Sequence, residues 1–446
     1  MKSEAGARRL SREDREAYGK SRREVVHRVD QANWSPSAKR ADPIEILQSL
    51  SKERLPDLVP IKMGRMAMSP FNFFRGAAPI MAADLATLPT TGLRVQICGD
   101  AHVRNLGAFA APDGHLVFDL NDFDETVPGP WEWDVKRFAT SLILAGEDAG
   151  STHDDCKEAV HSFVASFREA MARFAGMTML DLVRYEVRRH SKAACVRDVL
   201  GKALRSTPQT TLEKLTVAAK GGSRKFAERP PLLHHISEKT TKDVLASLNS
   251  YRETLSPDRQ QVLDAYHPVD VAFKVVGTGS VGTRDYVVLC FGNGVEDPLF
   301  IQVKEEPPAC YTPYLTDLPA FPNQGRRVAD GQRRMQTVGD PFLGWTAVEG
   351  RDFLVRQLAD HKAAVDPVEL KGETLVEYGL VCGEILAKAH ARTGDAAEIS
   401  GYCGTSDKLD KAICKFALAY HEQSVHDHAL LVKAIKDGKI KAVHAL

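Results

Sequence analysis

From about residue 265 the chain changes period, and that change limits the folds open to it. The stretches VAFKVVGTGS, TRDYVVLCF and PLFIQVKEE are dense in β-branched and aromatic residues. They follow one another too closely for a helical crossover, so they specify an antiparallel hairpin and a third strand, not a parallel βαβ unit. Residues from about 132 to 250 carry helical periodicity, and helical signals return at about 325–338, with a strand in DFLVRQL before the terminal helices. In TLVEYGLVCGEILAKAHA, the residues Leu375, Tyr378, Cys382, Ile385, Leu386 and Ala389 recur at three- and four-residue steps, the stripe of a core helix. SPFNFFRGAAPIMAADLATL reads as one further helix started by Ser69-Pro70. The expected architecture is α+β, with a small antiparallel sheet lobe and a larger helical lobe. Residues 1–60, polar and broken by Pro36, Pro43, Pro56 and Pro60, form an arm; 61–260 the helical lobe; 261–365 the β-rich lobe; 366–446 helices completing the helical lobe.

The chemistry gathers where strands end. LRVQI runs into Gly99-Asp100, with His102 and Asn105 just beyond. After the Pro112-Asp113-Gly114 turn, HLVFDL ends in a second cluster holding Asp119, Asp122, Asp124 and Glu125. Two strand ends thus bring hard oxygen ligands together, the donor type that suits Mg²⁺ alongside phosphate oxygens and water. An Asp that orients and deprotonates a hydroxyl, with an Asn and a second Asp for the metal, is the logic of phosphoryl transfer. Asp119 and Asp122 both stand at usable offsets for the metal role. Gly277, Gly279 and Gly282, with Ser280 between them, have the G-x-G-x-x-G spacing of a phosphate-covering hairpin. Lys304 follows in a strand from which it could reach phosphates, and RRVADGQRRMQ offers Asp330 as its ion-pair partner. Arg75, in FFRGAA, either clamps a nearby acid or faces substrate or phosphates.

Bulk properties narrow the partners. The 59 basic and 59 acidic residues leave no net field for nucleic acid or a membrane surface. The eight cysteines show neither a C-x-x-C pair nor zinc spacing, and the charged N-terminus lacks the apolar core of a signal peptide, so reduced thiols and a cytoplasmic location are expected. His234-His235 reads as a helix-edge surface pair, and Trp131, Trp133 and Trp345 as packing residues.

These residues resemble the kinase-like fold, particularly small-molecule phosphotransferases of the aminoglycoside and choline kinase type. GDAHVRN is similar to their H-G-D-x-H-x-x-N catalytic loop, with Cys98 where that motif has its first His. NDFDETVPGPWEWD resembles their metal segment, with Gly129, Pro130 and Asp134 at matching offsets. The resemblance implies Asp100 as catalytic base, Asn105 and Asp122 (in competition with Asp119) as metal ligands, and His102 as loop organiser. It implies Gly277, Gly279, Ser280, Gly282, Lys304 and Asp330 as the nucleotide-binding set, with ATP and Mg²⁺ as cofactors. In that fold the glycine hairpin precedes the catalytic loop; here the order is reversed, which implies a circular permutation. The whole-chain pattern, from SPFNFFRGAA to GRDFLVRQL, resembles the bacterial domain-of-unknown-function family 2252. The expected activity is ATP- and Mg²⁺-dependent phosphoryl transfer to a hydroxyl of a small molecule or protein. A nucleotide-binding regulator without transfer, and an adenylyl transferase, are the alternatives.

Overall fold

The computed structural model describes residues 10–187, 193–219, 223–275, 277, 279–358 and 361–443. In chain order its strands are β1 (Arg94–Ile97), β2 (Leu106–Ala110), β3 (Leu116–Leu120), β4 (Val127–Pro130), β5 (Thr216–Ala218), β6 (Arg224–Phe226), β7 (Leu233–His235), β8 (His267–Lys274), β9 (Asp285–Phe291), β10 (Pro298–Glu305), β11 (Gly344–Val348), β12 (Arg351–Gln357) and β13 (Ala363–Ala364). The fold is mixed α+β with antiparallel pairing throughout these strands.

The largest sheet has the order β11-β12-β10-β9-β8-β7. Both β9 and β10 are buried at every position, including the polar Asp285, Gln302, Lys304 and Glu305 among their apolar residues. Alternation sends Leu299, Ile301 and Val303 to one face, where Val271, Val288 and Val355 meet Val244 and Tyr251 of the helix Glu238–Arg252. It sends Phe300, Gln302 and Lys304 to the other face. There Leu212, Phe226 and Leu233 cover Ala272, Val287 and Phe300.

The second body is helical. The helices Trp131–Asp148, His153–Ala175, Glu373–Thr393 and Lys408–Lys436 enclose the main core. All six residues of the 375–389 stripe lie in it. Gly379 and Gly383 let the helix Glu373–Thr393 cross His153–Ala175 closely, since a Cβ at either would collide with the Ala159 or Phe163 carbonyl. At its margin lie the β1-β4 pair and the β13-β2-β3 sheet. Trp131 and Trp133 are buried as expected, and Arg326 and Arg333 flank the half-buried Trp345 ring.

Several expectations need correction. The helix read over 69–88 is two, Pro70–Gly76 and Ala78–Leu85, because Pro79 cannot continue a helical ladder and instead opens a new one. The stretch 132–250 also holds β5, β6 and β7, and His234 and His235 sit on β7, not at a helix edge. The helix Glu238–Arg252, placed by sequence in the helical lobe, packs on the sheet. All eight cysteines are free. Among the described residues no helix is long and apolar enough to cross a membrane.

The N-terminal arm is docked. Its helix Arg12–Ser21 lies against Ala396–Cys403, with Arg15 Nη1 donating to both carboxylate oxygens of Asp395. Further on, Arg40 bridges two buried carboxylates, donating to Asp84 Oδ2 at 2.8 Å and Asp427 Oδ2 at 2.6 Å. Asp84 also accepts from the Tyr420 hydroxyl. Removing the shared cation strands two buried charges, so Arg40→Ala should lower stability by about 3–5 kcal/mol. A fall in the urea midpoint at constant m-value would register this, and an unchanged midpoint would show that the arm is dispensable.

Candidate functional site

The β1 end is pinned before any side chain of the site is considered. Gly99 takes φ +81°, and a Cβ there would strike the Glu125 carbonyl, so only glycine fits. The Cys98 and Gly99 amides donate to Asp134 Oδ2 and Oδ1 at 2.8 and 2.9 Å, from the first turn of Trp131–Asp148. His390 Nε2 lies 3.1 Å from Asp134, and the Tyr311 hydroxyl donates to the Gly99 carbonyl at 2.6 Å. The backbone that presents Asp100 is therefore held from several sides.

Asp100 itself is used asymmetrically. Its Oδ1 accepts from Arg137 Nε at 2.7 Å and from Arg137 Nη2, while Oδ2 lies 3.7 Å from His102 Nε2. His102 Nδ1 accepts from the Arg104 amide, so the imidazole proton sits on Nε2. Burial pulls the His102 pKa down to about 3, leaving the ring neutral. It orders the loop and carries no charge there. Asn105 Nδ2 donates to the Asp100 carbonyl at 2.6 Å, which turns the loop back on itself and leaves the amide oxygen as acceptor.

The acids after β3 separate into two groups. Asp119, in the strand, accepts from the Leu120 amide and from Lys388 Nζ, and is buried away from the cavity. Asp122 and Asp124 turn toward Lys304. Lys304 Nζ donates to Asp124 Oδ2 and lies 3.9 Å from both Asp122 Oδ1 and Glu306 Oε1. Among the three acids around Lys304, four buried carboxylate oxygens have no hydrogen-bond partner: Asp122 Oδ1, Asp124 Oδ1 and both of Glu306. Burial first, then the Asp124 charge, push Asp122 up to about 7. Burial works against ionisation of Asp124 too, yet Lys304 holds it below the usual carboxylate range. Burial carries Glu306 well above that range. Lys304 is buried yet kept charged by Asp124, Asp122 and Glu306.

Asp330 stays outside this group. It pairs with its helix neighbours Arg326 and Arg333 at 3.4 and 3.8 Å, while Arg327 turns inward to the Thr126 and Pro307 carbonyls. Lys304 therefore has Asp124 as its partner, with Asp285 opposite it in the β9–β10 register.

The glycine loop joins β8 to β9. Gly277 and Gly282 have φ of +70° and +98°. Its carbonyls are clamped from the N-terminal side: Arg65 donates to Gly277, Lys62 to Gly279 at 2.7 Å, Arg54 to Val281 at 2.6 Å, and the Leu55 amide to Gly282 at 2.8 Å. A cavity of about 800 Å³ results. Asp100, Asn105, Asp122 and Asp124 form one part of its wall, and Gly277, Gly279 and Ser280 another. Among the described residues no three His, Cys, Asp or Glu side chains form a metal cage. The buried Oδ1 atoms of Asp122 and Asp124 accept no hydrogen bond, which leaves each with acceptor capacity of the kind a hard cation uses.

Three parts of the site escaped the sequence reading. Arg137 stands three residues after Asp134, one helical turn on, a spacing that could have flagged it. Glu306 is hidden in the KEE run, and Arg54, Lys62 and Arg65 carry no motif. Residues 54–434 match the family model described as "Uncharacterized protein conserved in bacteria" (DUF2252), and the chain belongs to that family. No curated protein and no solved structure matches it.

Proposed function

We propose that this DUF2252 member is an ATP- and Mg²⁺-dependent phosphotransferase acting on a hydroxyl of a small-molecule acceptor, on a circularly permuted kinase-like scaffold. One observation carries the reading: Asp122 and Asp124 line the cavity shared by the glycine loop and the Asp100 loop, and Lys304 Nζ behind them bonds Asp124 and lies 3.9 Å from Asp122. Segments nearly two hundred positions apart in sequence thus meet where a triphosphate would need them. The strand succession supports it as well, since a glycine loop between β8 and β9, a lysine on β10 and a helix before β11 follow the nucleotide-lobe order of the resembled fold.

In this reading Asp100 Oδ2 takes the acceptor's hydroxyl proton, because Arg137 already occupies Oδ1 and fixes the carboxylate plane. Asn105 holds the loop so that this oxygen keeps its aim. Asp122 and Asp124, with Asn105, would hold Mg²⁺, which neutralises charge on the phosphates when bound. Lys304 adds a fixed positive charge beside them, and the glycine loop excludes water.

Titration calorimetry with ATP tests this. Binding should require Mg²⁺, and Asp122→Ala should weaken it roughly 10- to 100-fold. Metal-independent binding, or none, would count against the assignment. One observation favours a regulator that binds nucleotide without transfer: Cys98 stands where the resembled catalytic loop has its first His, and Asp330, in the place of the expected Glu, pairs with Arg326 and Arg333 instead of Lys304. Turnover by the wild type would dismiss that reading.

A further inference from the structure

Not every basic side chain around the cavity is matched to an acid. Lys304 and Arg137 each carry a carboxylate. Lys62 and Arg75 line the cavity itself, as Lys304 and Arg137 do not, and among the described residues neither makes an ion pair. Lys62 is only 5% exposed and commits one of its three ammonium donors, to the Gly279 carbonyl. Arg75 donates Nη1 to Asn72 Oδ1 at 3.2 Å, and its buried Nε has no partner. Its guanidinium lies 6.0 Å from the Phe71 ring centroid, and a Cβ on Gly279 would sit 3.6 Å from the Arg75 carbonyl. The two cations therefore border the same loop, near Asp100 and Asp122, whose charges act on Arg75.

Buried cations without anions are costly, and proteins keep them where an anion arrives. We propose that Lys62 and Arg75 form a phosphoryl-binding subsite beside Asp100, separate from the Lys304 pair. A phosphoryl group is the fitting ligand because a guanidinium with a free Nε–H and an ammonium with two free donors can between them satisfy several of its oxygens. Burial draws both groups below their ordinary pKa range, Arg75 to about 10, so the site disfavours their charge until an anion beside them restores it. The inference rests on the phosphotransferase reading only for what the group does, either as the transferred phosphoryl of the nucleotide or as a phosphomonoester on the acceptor.

Inorganic phosphate, titrated into the full chain without nucleotide or Mg²⁺ and followed by calorimetry, is the test. The wild type should bind saturably, and Arg75→Gln and Lys62→Met should each weaken binding about tenfold or more. Circular dichroism verifies that each variant is folded, and Arg75→Lys substitutes if Arg75→Gln is not. Equal affinity in the wild type and both folded variants, or no saturable wild-type binding, overturns the subsite. Repeating the titration in saturating Mg·ATP and Mg·ADP separates the sources. Phosphate excluded by ATP alone marks the transferred group, and phosphate bound beside both nucleotides marks an acceptor phosphate. Phosphate binding that falls in the variants while ATP fails to bind upholds the subsite and removes the nucleotide reading instead.

Discussion

Asp100→Asn should reduce turnover by roughly 10²- to 10⁴-fold while leaving Mg²⁺-dependent ATP binding near the wild-type level. The substitution is nearly isosteric. Its carbonyl oxygen can still accept from Arg137 Nε and Nη2, so the loop, pinned through Cys98 and Gly99 by Asp134, should keep its course. What disappears is the second carboxylate oxygen, the one that Arg137 does not occupy and that can take a proton. A metabolite extract incubated with ATP and searched for mass shifts, with the variant as blank, would identify the acceptor and measure the loss together. Equal product from both proteins would remove Asp100 as the base. Loss of ATP binding along with turnover would instead assign it a structural role.

The sequence was most readable where a single period or a rigid motif controls the outcome. The apolar runs of β9 and β10 admit no helix, and both strands form within a residue or two of expectation. The GDAHVRN loop was legible because its polar groups sit at fixed offsets and bond locally, Asn105 back to the Asp100 carbonyl. What failed to read through was long-range pairing. Asp330 had the spacing to meet Lys304, but a helix presents only one face inward, and that face shows Arg327. Asp119 and Asp122 were equivalent as letters. Lys388, some 269 positions on, captures the first and leaves the second for the cavity. The clamp on the glycine loop was invisible for the same reason, since Arg54, Lys62 and Arg65 donate to carbonyls that have no sequence identity.

Lys304→Met is expected to be the most destabilising substitution in the site, by about 3–5 kcal/mol at pH 8, because it removes the one cation that, among the described residues, bonds Asp124, and leaves Asp122 and Glu306 beside it. The pH dependence distinguishes this charge effect from lost packing. Asp124 has a lowered folded-state pKa, so its stabilising contribution is present above the ordinary carboxylate range and vanishes in the variant. Asp122 has a raised folded-state pKa of about 7, so the folded wild type loses stability as pH climbs from the ordinary carboxylate range through about 7. Without Lys304 both carboxyls hold protons more tightly in the folded state, which extends that loss above pH 7. The variant's deficit should therefore shrink as pH is lowered from 8 to 5, as read from paired urea melts. A deficit constant across that range would mean the lysine acts through packing of its stem. Adding Asp124→Asn to Lys304→Met removes the stranded charge, so the double variant should be more stable at pH 8 than the sum of the single losses predicts. Strict additivity would show that the two side chains, though bonded, are energetically independent.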